Sequence, residues 1–311
     1  MSVVQTVLGD IDSSELGFTM AHEHVFLDVG GHGKPDIEWS LWRWDEQLDM
    51  VKKYKENGGG TLIDANPMSY DGRDVARLYT VSKQTGVHIV ACTGFVKEKP
   101  NYENCQALAK MSTNEITDFF VKEINEGIDG TDIKAGWIKG ASMYHYITPL
   151  QERCMRAGAR ASMITGAPMH THTEVGTYCL EQLEIVESEG MDLTRFCCAH
   201  VDRNPDYWLH KKICEKGCYI IYDGPGKAKY YPDSMRVDLL SRLVEEGYGK
   251  QIMLCNDMGK KSHHPQYGGG PGWNWLKDKF LPRLMDEGFS QETIDDFMIH
   301  NPARFYSMRE K

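Results

Sequence analysis

The sequence lacks any long hydrophobic run: within its 311 residues no stretch approaches the roughly 20 consecutive apolar residues of a membrane-spanning helix, so we expect no membrane partner. It also lacks a basic segment followed by an apolar core near its start, so we expect no secretory signal and a cytoplasmic location. Positive charge is scarce, with 35 Lys and Arg against 45 Asp and Glu and a net charge of −10. Because sequence-independent binding to nucleic acid depends on Lys and Arg contacts to phosphate, this balance argues against a nucleic-acid partner.

The cysteines lack the patterns of a disulfide framework or a zinc ribbon. There are nine of them, an odd number, and no Cys-x-x-Cys occurs. Most lie inside apolar runs: Cys92, Cys197, Cys198, Cys218 and Cys255. This placement predicts reduced, buried thiols in a cytosolic protein.

The sequence does contain a repeated alternation of short apolar runs with helix-like segments. Eight runs are predicted to be strands: Phe18–His24, Thr61–Ala65, Val87–Gly94, Gly136–Met143, Pro168–Thr173, Phe196–Val201, Cys218–Asp223 and Ile252–Asp257. Nine segments are predicted to be helices: Asp45–Lys55, Asp74–Gln84, Thr113–Asn125, Pro149–Ala161, Thr177–Glu189, Pro205–Glu215, Pro232–Glu246, Leu276–Glu287 and Gln291–His300. Apolar strands that alternate with helices predict a parallel sheet covered on both faces.

Eight strand units favour an α/β fold of the closed (β/α)8 type, the TIM barrel, over an open doubly wound sheet. No linker, low-complexity tract or charge block divides the chain. We therefore expect a single domain over residues 1–311. In a barrel of this kind, functional groups lie at the carboxyl ends of the strands.

Polar residues with metal-ligand chemistry stand at these predicted strand ends. His22 and His24 flank one residue, and the period of two in a strand places both on one face. Other strands contribute Lys139, His170, His172, His200 and Asp257. Each has a structural explanation when taken alone, such as a buried histidine bonded to the backbone. Five strand ends with nitrogen or oxygen donors are too many for one tetrahedral site, so we infer two divalent metal ions, with zinc the expected one.

Lys139 lies inside an apolar run of the fourth predicted strand. Burial of an ion costs on the order of several kcal/mol, so the ammonium group of a lysine is rarely buried without a partner. One interpretation is that its head reaches water or an acid at the barrel mouth. The other is that a neutral Lys139 amine adds CO₂, giving a carboxylated lysine whose anion bridges two cations.

Taken together, these motifs resemble the signature of the phosphotriesterase family in the amidohydrolase superfamily. The matching segments are Leu8-Gly9-Asp10-Ile11, Gly17-Phe18-Thr19-Met20-Ala21-His22-Glu23-His24, Ile138-Lys139, Gly166-Ala167-Pro168, Thr171-His172-Thr173, His200, Asp257 and Asn301-Pro302-Ala303-Arg304. They occur in the family's order and cover nearly the whole chain.

The resemblance implies a role for each candidate ligand. It implies that His22, His24 and Asp257 bind the more buried ion. His172 and His200 would bind the more exposed one, while a carboxylated Lys139 and a hydroxide would bridge the two. The hydroxide would attack an ester carbonyl, and Asp257 would act as the catalytic residue that accepts its proton. His170 aligns with a position that is not a ligand in the family.

Within that family, the chain is similar to lactonases that act on phosphorylated sugar lactones. The resemblance rests on the loops after the seventh and eighth strands, where those enzymes contact the substrate phosphate through a lysine, an arginine and a tyrosine. Lys229 matches the lysine, while Lys260 and His263 stand at the arginine and tyrosine positions. Lysine holds phosphate as a point charge and lacks the arginine fork. We expect Asp223, Lys229, Lys260 and His263 to bind an anionic lactone whose charged group is a phosphate or a carboxylate.

Several alternatives remain at this level. The same metal centre could act on a phosphotriester, an acyl-homoserine lactone or an amide. The chain could instead be a non-catalytic barrel that binds a sugar acid. Lys227, Lys229, Lys260 and Lys261 could form a solvated loop surface without an anion, and a homodimer is open because related barrels are often dimers.

Aromatic residues refine these expectations. Acyl-homoserine lactonases of the family typically carry a tyrosine after the third strand, where this chain has Phe95. This difference disfavours that substrate class. Trp39, Trp42 and Trp44 follow the first strand, and we predict that they pack over the barrel mouth.

Overall fold

A computed structural model describes residues 2–28, 38–68, 72–98 and 103–309. Its barrel strands are β1 (Thr19–Glu23), β2 (Thr61–Asp64), β3 in two pieces (His88–Val90 and Cys92–Gly94), β4 (Trp137–Ala141), β5 (Met169–His172), β6 (Phe196–Ala199), β7 (Tyr219–Tyr222) and β8 (Ile252–Leu254). Every hydrogen-bonded neighbour pair among them is parallel. The order runs without interruption from β1 to the first piece of β3 and from its second piece to β8. The predicted (β/α)8 barrel is confirmed.

The side chain of Glu23 connects β1 with the loop that follows β8. Its carboxylate accepts hydrogen bonds from the backbone N–H groups of Asn256, Asp257 and Met258 at 2.8, 3.1 and 2.9 Å. The indole Nε1 of Trp273 donates a further bond at 2.8 Å. The carboxylate is fully buried, and these bonds bring the end of β1 next to Asp257.

Helices cover the outside of the barrel. They are α1 (Trp44–Glu56), α2 (Val75–Thr85), α3 (Glu103–Ala109), α4 (Thr113–Asn125), α5 (Pro149–Thr165), α6 (Cys179–Ser188), α7 (Tyr207–Glu215) and α8 (Asp233–Glu245), followed by helical segments at Leu276–Phe280, Leu281–Asp286, Gln291–Asp295, Asp296–His300 and Asn301–Tyr306. In the described residues, no helix is both apolar and long enough to span a bilayer.

The longest of these helices, α5, shows how the sequence sets its bounds. Thr148 caps the helix by accepting from the N–H of Gln151, whose side chain bonds back to Thr148. Gly166 ends it with a left-handed φ of 80°, which glycine adopts without a steric penalty.

Several short elements were not predicted from the sequence. They include an antiparallel hairpin of Val3–Thr6 and Gly9–Asp12 before β1, an antiparallel pair of Leu27–Asp28 with Ser40–Leu41 after it, and α3 before α4. All are short, so they show too few periods of hydrophobic alternation to stand out. The expectation of buried thiols is confirmed, because all nine cysteines lie in the described residues, are buried and form no disulfide there.

Seven of the eight predicted strands extend one to three residues too far at their carboxyl ends, and β6 and β8 illustrate the reason. β6 stops at Ala199 and β8 at Leu254, so His200 and Asp257 lie beyond the strands, not within them. Their φ angles are 67° and 46°, in the left-handed region that side chains other than glycine rarely adopt. A residue in this conformation cannot continue a strand, which corrects the predicted ends. Such conformations concentrate at functional sites.

Candidate metal centre and active site

A cavity of about 420 Å³ opens at the carboxyl end of the barrel. Nine of the residues singled out from the sequence line it: His22, His24, Lys139, His172, His200, Lys229, Asp257, Lys260 and His263. The fold therefore brings residues from six strand ends and the loops after them into one place. Polar and aromatic residues that line the cavity but were not singled out from the sequence are Asn66, Lys97, Glu174, Arg203 and Tyr230. Lys227 and Trp39, which the sequence analysis placed in a loop surface and over the barrel mouth, line it as well.

The first cluster consists of His22, His24 and Asp257, whose donor atoms lie within 4.8 Å of one another. Oδ1 of Asp257 is 3.8 Å from Nε2 of His22 and 3.2 Å from Nε2 of His24. Burial and, next, the charge of Lys139 lower the pKa of His22 well below its usual value. A neutral imidazole offers a lone pair, so two nitrogens and one carboxylate oxygen suit a divalent cation such as zinc.

His24 is oriented by a buried amide. Its Nδ1 lies 2.7 Å from Oδ1 of Asn66, an oxygen that only accepts. Nδ1 therefore carries a proton, and Nε2 is the nitrogen that faces Asp257 and the cluster. Outer partners of this kind fix the tautomer of metal-binding histidines.

The second cluster contains His172 and His200, with ring centroids 4.4 Å apart. Nε2 of His172 is 3.1 Å from Oε2 of Glu174, and Nδ1 of His200 bonds to Asp223. In each of these two histidines, one ring nitrogen therefore bonds to a carboxylate, and the other ring nitrogen remains for a metal ion. The donor atoms of His200, Asp223 and Asp257 also lie within 4.8 Å of one another.

The geometry of Asp223 differs from the substrate contact expected from the sequence. The side chain is fully buried, and among the described residues that line the cavity it is absent. Its Oδ1 accepts from Nε and Nη2 of Arg203 at 2.9 and 2.7 Å, while Oδ2 bonds to His200. With both oxygens occupied, Asp223 is arranged to orient His200 and not to reach a ligand.

Lys139 on β4 lines the same cavity as the two clusters and is only 3% exposed. Its Nζ donates to the carbonyl of Ala65 at 2.5 Å. After burial, its charge is the next largest cause of the lowered pKa of both His22 and His170, which places it close to those rings.

Asp257 is held in its ionised form by two cations. Burial alone would raise its pKa, but Lys227 and Arg203 outweigh burial and keep the pKa well below its usual value. Nη2 of Arg203 donates to Oδ2 of Asp257. Nζ of Lys227 lies 3.6 Å from the same oxygen and donates to the Asp257 carbonyl at 2.5 Å.

Two lysines at the cavity mouth rest on aromatic rings. Nζ of Lys229 lies 4.6 Å from the ring centroid of Tyr230, and Nζ of Lys260 lies 4.4 Å from that of Trp39. Within the described parts of the chain, neither makes an ion pair with a carboxylate. Their charge therefore remains available to a ligand, in contrast to Lys227, which the Asp257 carboxylate engages.

His263 also lines the cavity, and its Nδ1 is buried without a hydrogen-bond partner among the described residues. Burial lowers its pKa to about 3, so the ring is neutral near pH 7.

Of the three tryptophans predicted to pack over the barrel mouth, Trp42 and Trp44 pack against Phe26, with ring centroids 6.0 and 5.9 Å away, while Trp39 lines the cavity.

The unassigned residues stand close to predicted ligands in the sequence. Arg203 follows His200 by three positions, and Glu174 follows His172 by two. Charged residues so soon after a strand-end ligand are a signal that could have identified both, because the same loop must carry them to the cavity. Glu23 stands between His22 and His24, yet nothing in its neighbours predicted that it would bond to the loop after β8.

Comparisons with known proteins identify the family of the chain. The model of the phosphotriesterase family matches residues 2–306. The phospho-furanose lactonase of Mycoplasmopsis synoviae (strain 53) is 33% identical over 326 residues, which span 99% of this chain and 92% of that protein. The solved lactonase Lmo2620 of Listeria monocytogenes is 34% identical, with a TM-score of 0.92 and coverage of 99% and 100% of the two chains.

A third relative was solved with a ligand. The phosphotriesterase homology protein of Escherichia coli, in complex with phosphate in its active site, is 33% identical, has a TM-score of 0.88 and covers 94% of this chain and 99% of its own. The family match over nearly the whole chain and the hydrolases among the relatives lead to one conclusion. The chain belongs to the phosphotriesterase family and is a hydrolase of small-molecule esters or amides.

Proposed function

We propose that this hydrolase is a lactonase with two divalent metal ions and that its preferred substrate carries an anionic group. The observation that carries the proposal is the pair Lys229 and Lys260, charged and without ion-pair partners in the described residues, at the mouth of a cavity whose floor holds two histidine clusters. A cationic mouth concentrates and orients an anionic substrate.

The residues fit a binuclear centre. His22, His24 and Asp257 would hold one ion, and His172 and His200 would hold the other. Each histidine has one nitrogen turned to an outer partner and one left for a cation. Zinc is the expected metal for this donor set.

We further propose that Lys139 is carboxylated when metal binds. Its carbamate would offer two oxygen donors to the centre and replace a positive charge, which opposes cation binding, with a negative one. Metal ions so bound lower the pKa of a water molecule and polarise a carbonyl group. The protein's own groups then decide which substrate reacts and where the protons go.

Asp257 is the proposed catalytic residue, because its carboxylate lies at the cluster and lines the cavity. It would take a proton from the attacking water on a carboxylate oxygen and deliver it to the leaving alkoxide of the opened lactone. Lys227 and Arg203 keep this carboxylate in place. Lys229 and Lys260 would bind the anionic group and hold the carbonyl in position for attack.

His263 would contribute recognition of a different kind. Its ring is neutral, so it would exchange a hydrogen bond with a hydroxyl or phosphate oxygen and add no charge. The E. coli relative with phosphate in its active site supports an oxyanion as the bound group. Two relatives are named lactonases, which supports the ester bond of a lactone as the bond that this enzyme hydrolyses.

The test is a hydrolysis screen on zinc-loaded protein with pairs of five- and six-membered sugar lactones, each with and without a terminal phosphate. We expect kcat/KM at least about tenfold higher for the phosphorylated member, since one charge-assisted contact contributes about 1.5–3 kcal/mol. Metal analysis should give two zinc ions per chain.

Three outcomes would contradict the proposal. Equal rates for the two lactones of each pair would show that the enzyme does not recognise an anionic group. Faster hydrolysis of a phosphotriester, an acyl-homoserine lactone or an amide would assign the centre to another bond. Absence of bound metal together with tight binding of a sugar acid would make the protein a binder.

A further inference from the structure

The ring of His170 lies fully buried next to the candidate metal centre, outside the proposed ligand set. Its Nε2 is 2.8 Å from Nδ1 of His22, and its Nδ1 is 3.0 Å from the hydroxyl of Tyr306. The ring stacks on Trp137 with a centroid separation of 4.6 Å. A continuous chain of hydrogen bonds therefore runs from Tyr306 near the carboxyl terminus to His22 on β1.

A backbone carbonyl group fixes which atoms donate and which accept in this series of hydrogen bonds. The Tyr306 hydroxyl donates to the carbonyl oxygen of Ala21 at 2.7 Å, and a carbonyl can only accept. A phenol has a single proton, so this bond uses it. The same hydroxyl must then accept from His170, which places a proton on Nδ1 of His170.

The burial of His170 determines whether its other ring nitrogen, Nε2, carries a proton. The ring has no solvent exposure, and the described residues place no carboxylate at ion-pair distance from it. An imidazolium buried without a counter-charge is costly, so the ring is neutral and carries one proton. Nε2 therefore has a lone pair, and it accepts a hydrogen bond from Nδ1 of His22.

We propose that Tyr306 and His170 are positioning residues that hold His22 in the tautomer with its proton on Nδ1. Nε2 of His22 then presents a lone pair toward the cluster, where it lies 3.8 Å from Oδ1 of Asp257. The inference rests on the proposed function in one respect, namely that His22 is a metal ligand. The Asn66 side chain orients His24 directly, because its oxygen can only accept a hydrogen bond. The neighbour of His22 is another imidazole, which can donate or accept, so Tyr306 must first fix the tautomer of His170.

The direct test is nitrogen-15 NMR of histidine-labelled, metal-free, full-length protein, in which the two ring nitrogens report which one is protonated. We expect His22 and His170 both to carry their proton on Nδ1. A proton on Nε2 of His22 would overturn the proposal.

Affinity for metal provides a second readout with a matched control. Tyr306→Phe removes the acceptor for His170 and should weaken binding of the first zinc ion about tenfold, within the range known for outer partners of metal ligands. Tyr222→Phe is the control, because Tyr222 is equally buried and its hydroxyl lies 2.6 Å from Nδ1 of another buried histidine, His210. It should lower stability to a similar degree and leave zinc affinity unchanged, as measured by competition with a chromophoric chelator. Equal losses of affinity in both variants would refute the relay.

A substitution of His170 itself separates the tautomer from packing. His170→Gln places an amide oxygen near the position of Nε2 and should retain most of the zinc affinity, whereas His170→Leu should lose more than tenfold. Similar values for the two would contradict the proposal. If the wild-type protein binds no zinc, the proposed function fails, while the NMR spectrum still decides the tautomer of His22.

Discussion

The carboxylate of Glu23 accepts a hydrogen bond from the backbone N–H of Asp257 at 3.1 Å, which joins the first strand of the barrel to the loop that follows the last. Glu23→Gln keeps the size of the side chain but turns an NH₂ group toward donors that include the Trp273 indole and the Met258 N–H. We expect a loss of about 1–3 kcal/mol in the free energy of unfolding, the cost of an unsatisfied buried donor.

Chemical denaturation of metal-free protein measures this loss. Glu245→Gln, at the exposed end of α8, is the control and should change the unfolding free energy by less than about 0.5 kcal/mol. If both variants unfold at the same denaturant concentration, the bonds of Glu23 do not stabilise the barrel.

His200→Asn should remove the more exposed of the two proposed metal sites, because the shorter amide cannot replace the imidazole nitrogen. We expect about one zinc ion per chain in place of two and a loss of activity of at least a hundredfold. Elemental analysis and lactone hydrolysis on the same preparation measure both. His300→Asn, an exposed histidine, should behave as wild type. A His200→Asn protein with wild-type turnover would rule out the two-metal scheme.

Lys229→Met should raise KM for a phosphorylated lactone about tenfold or more and leave KM for the unphosphorylated parent nearly unchanged, because only the former uses the charge. Lys52→Met, on the exposed face of α1, is the matched loss of one positive charge. Steady-state kinetics on both substrates give the answer. An equal effect on the two lactones would mean that Lys229 shapes the mouth and binds no anion.

Trp39→Leu should act through Lys260, whose Nζ rests 4.4 Å from the centre of the indole ring. Loss of this contact, worth about 0.5–1 kcal/mol at an exposed site, frees the ammonium and should raise KM for the phosphorylated lactone roughly two- to fivefold. In a Lys260→Met background the same substitution should have no further effect. Additive effects in this double-mutant cycle would show that Trp39 contacts the substrate by itself.

The buried histidine His210 should make stability depend on pH. Burial lowers its pKa, so below about pH 6.5 the unfolded chain binds a proton that the folded protein does not, and folding weakens as the pH falls. Glu23 and Asp64 oppose this effect in the same range, because burial raises their pKa to about 7 and about 6. The comparison is therefore between wild type and His210→Gln.

Between pH 7 and pH 5, the unfolding free energy of the wild type should fall relative to that of His210→Gln, by at most about 1.4 kcal/mol per pH unit. Denaturant titrations of metal-free protein across this range measure the difference. His300→Gln, which changes an exposed side chain, should run parallel to wild type. Parallel curves for His210→Gln would show that His210 is not held neutral.

The alternation of apolar runs with helical segments was sufficient to predict the barrel, because each strand of a covered parallel sheet must be apolar on both faces. The residue types at the strand ends were sufficient to bring the ligand candidates together, because parallel strands end at the same side of the barrel. The exact strand ends were not predictable. His200 and Asp257 have left-handed conformations, which the pattern of apolar residues does not encode.

The sequence by itself thus determined which donors gather at one end of a barrel, since that follows from local periodicity and chain order. Only the tertiary structure decided what each donor faces. Asp223 bonds to His200, and Glu23 bonds to the backbone of Asn256, which is 233 residues away in the sequence. Burial is the physical reason. A polar group removed from water must find a partner, and that partner is set by packing across the barrel, not by sequence neighbours.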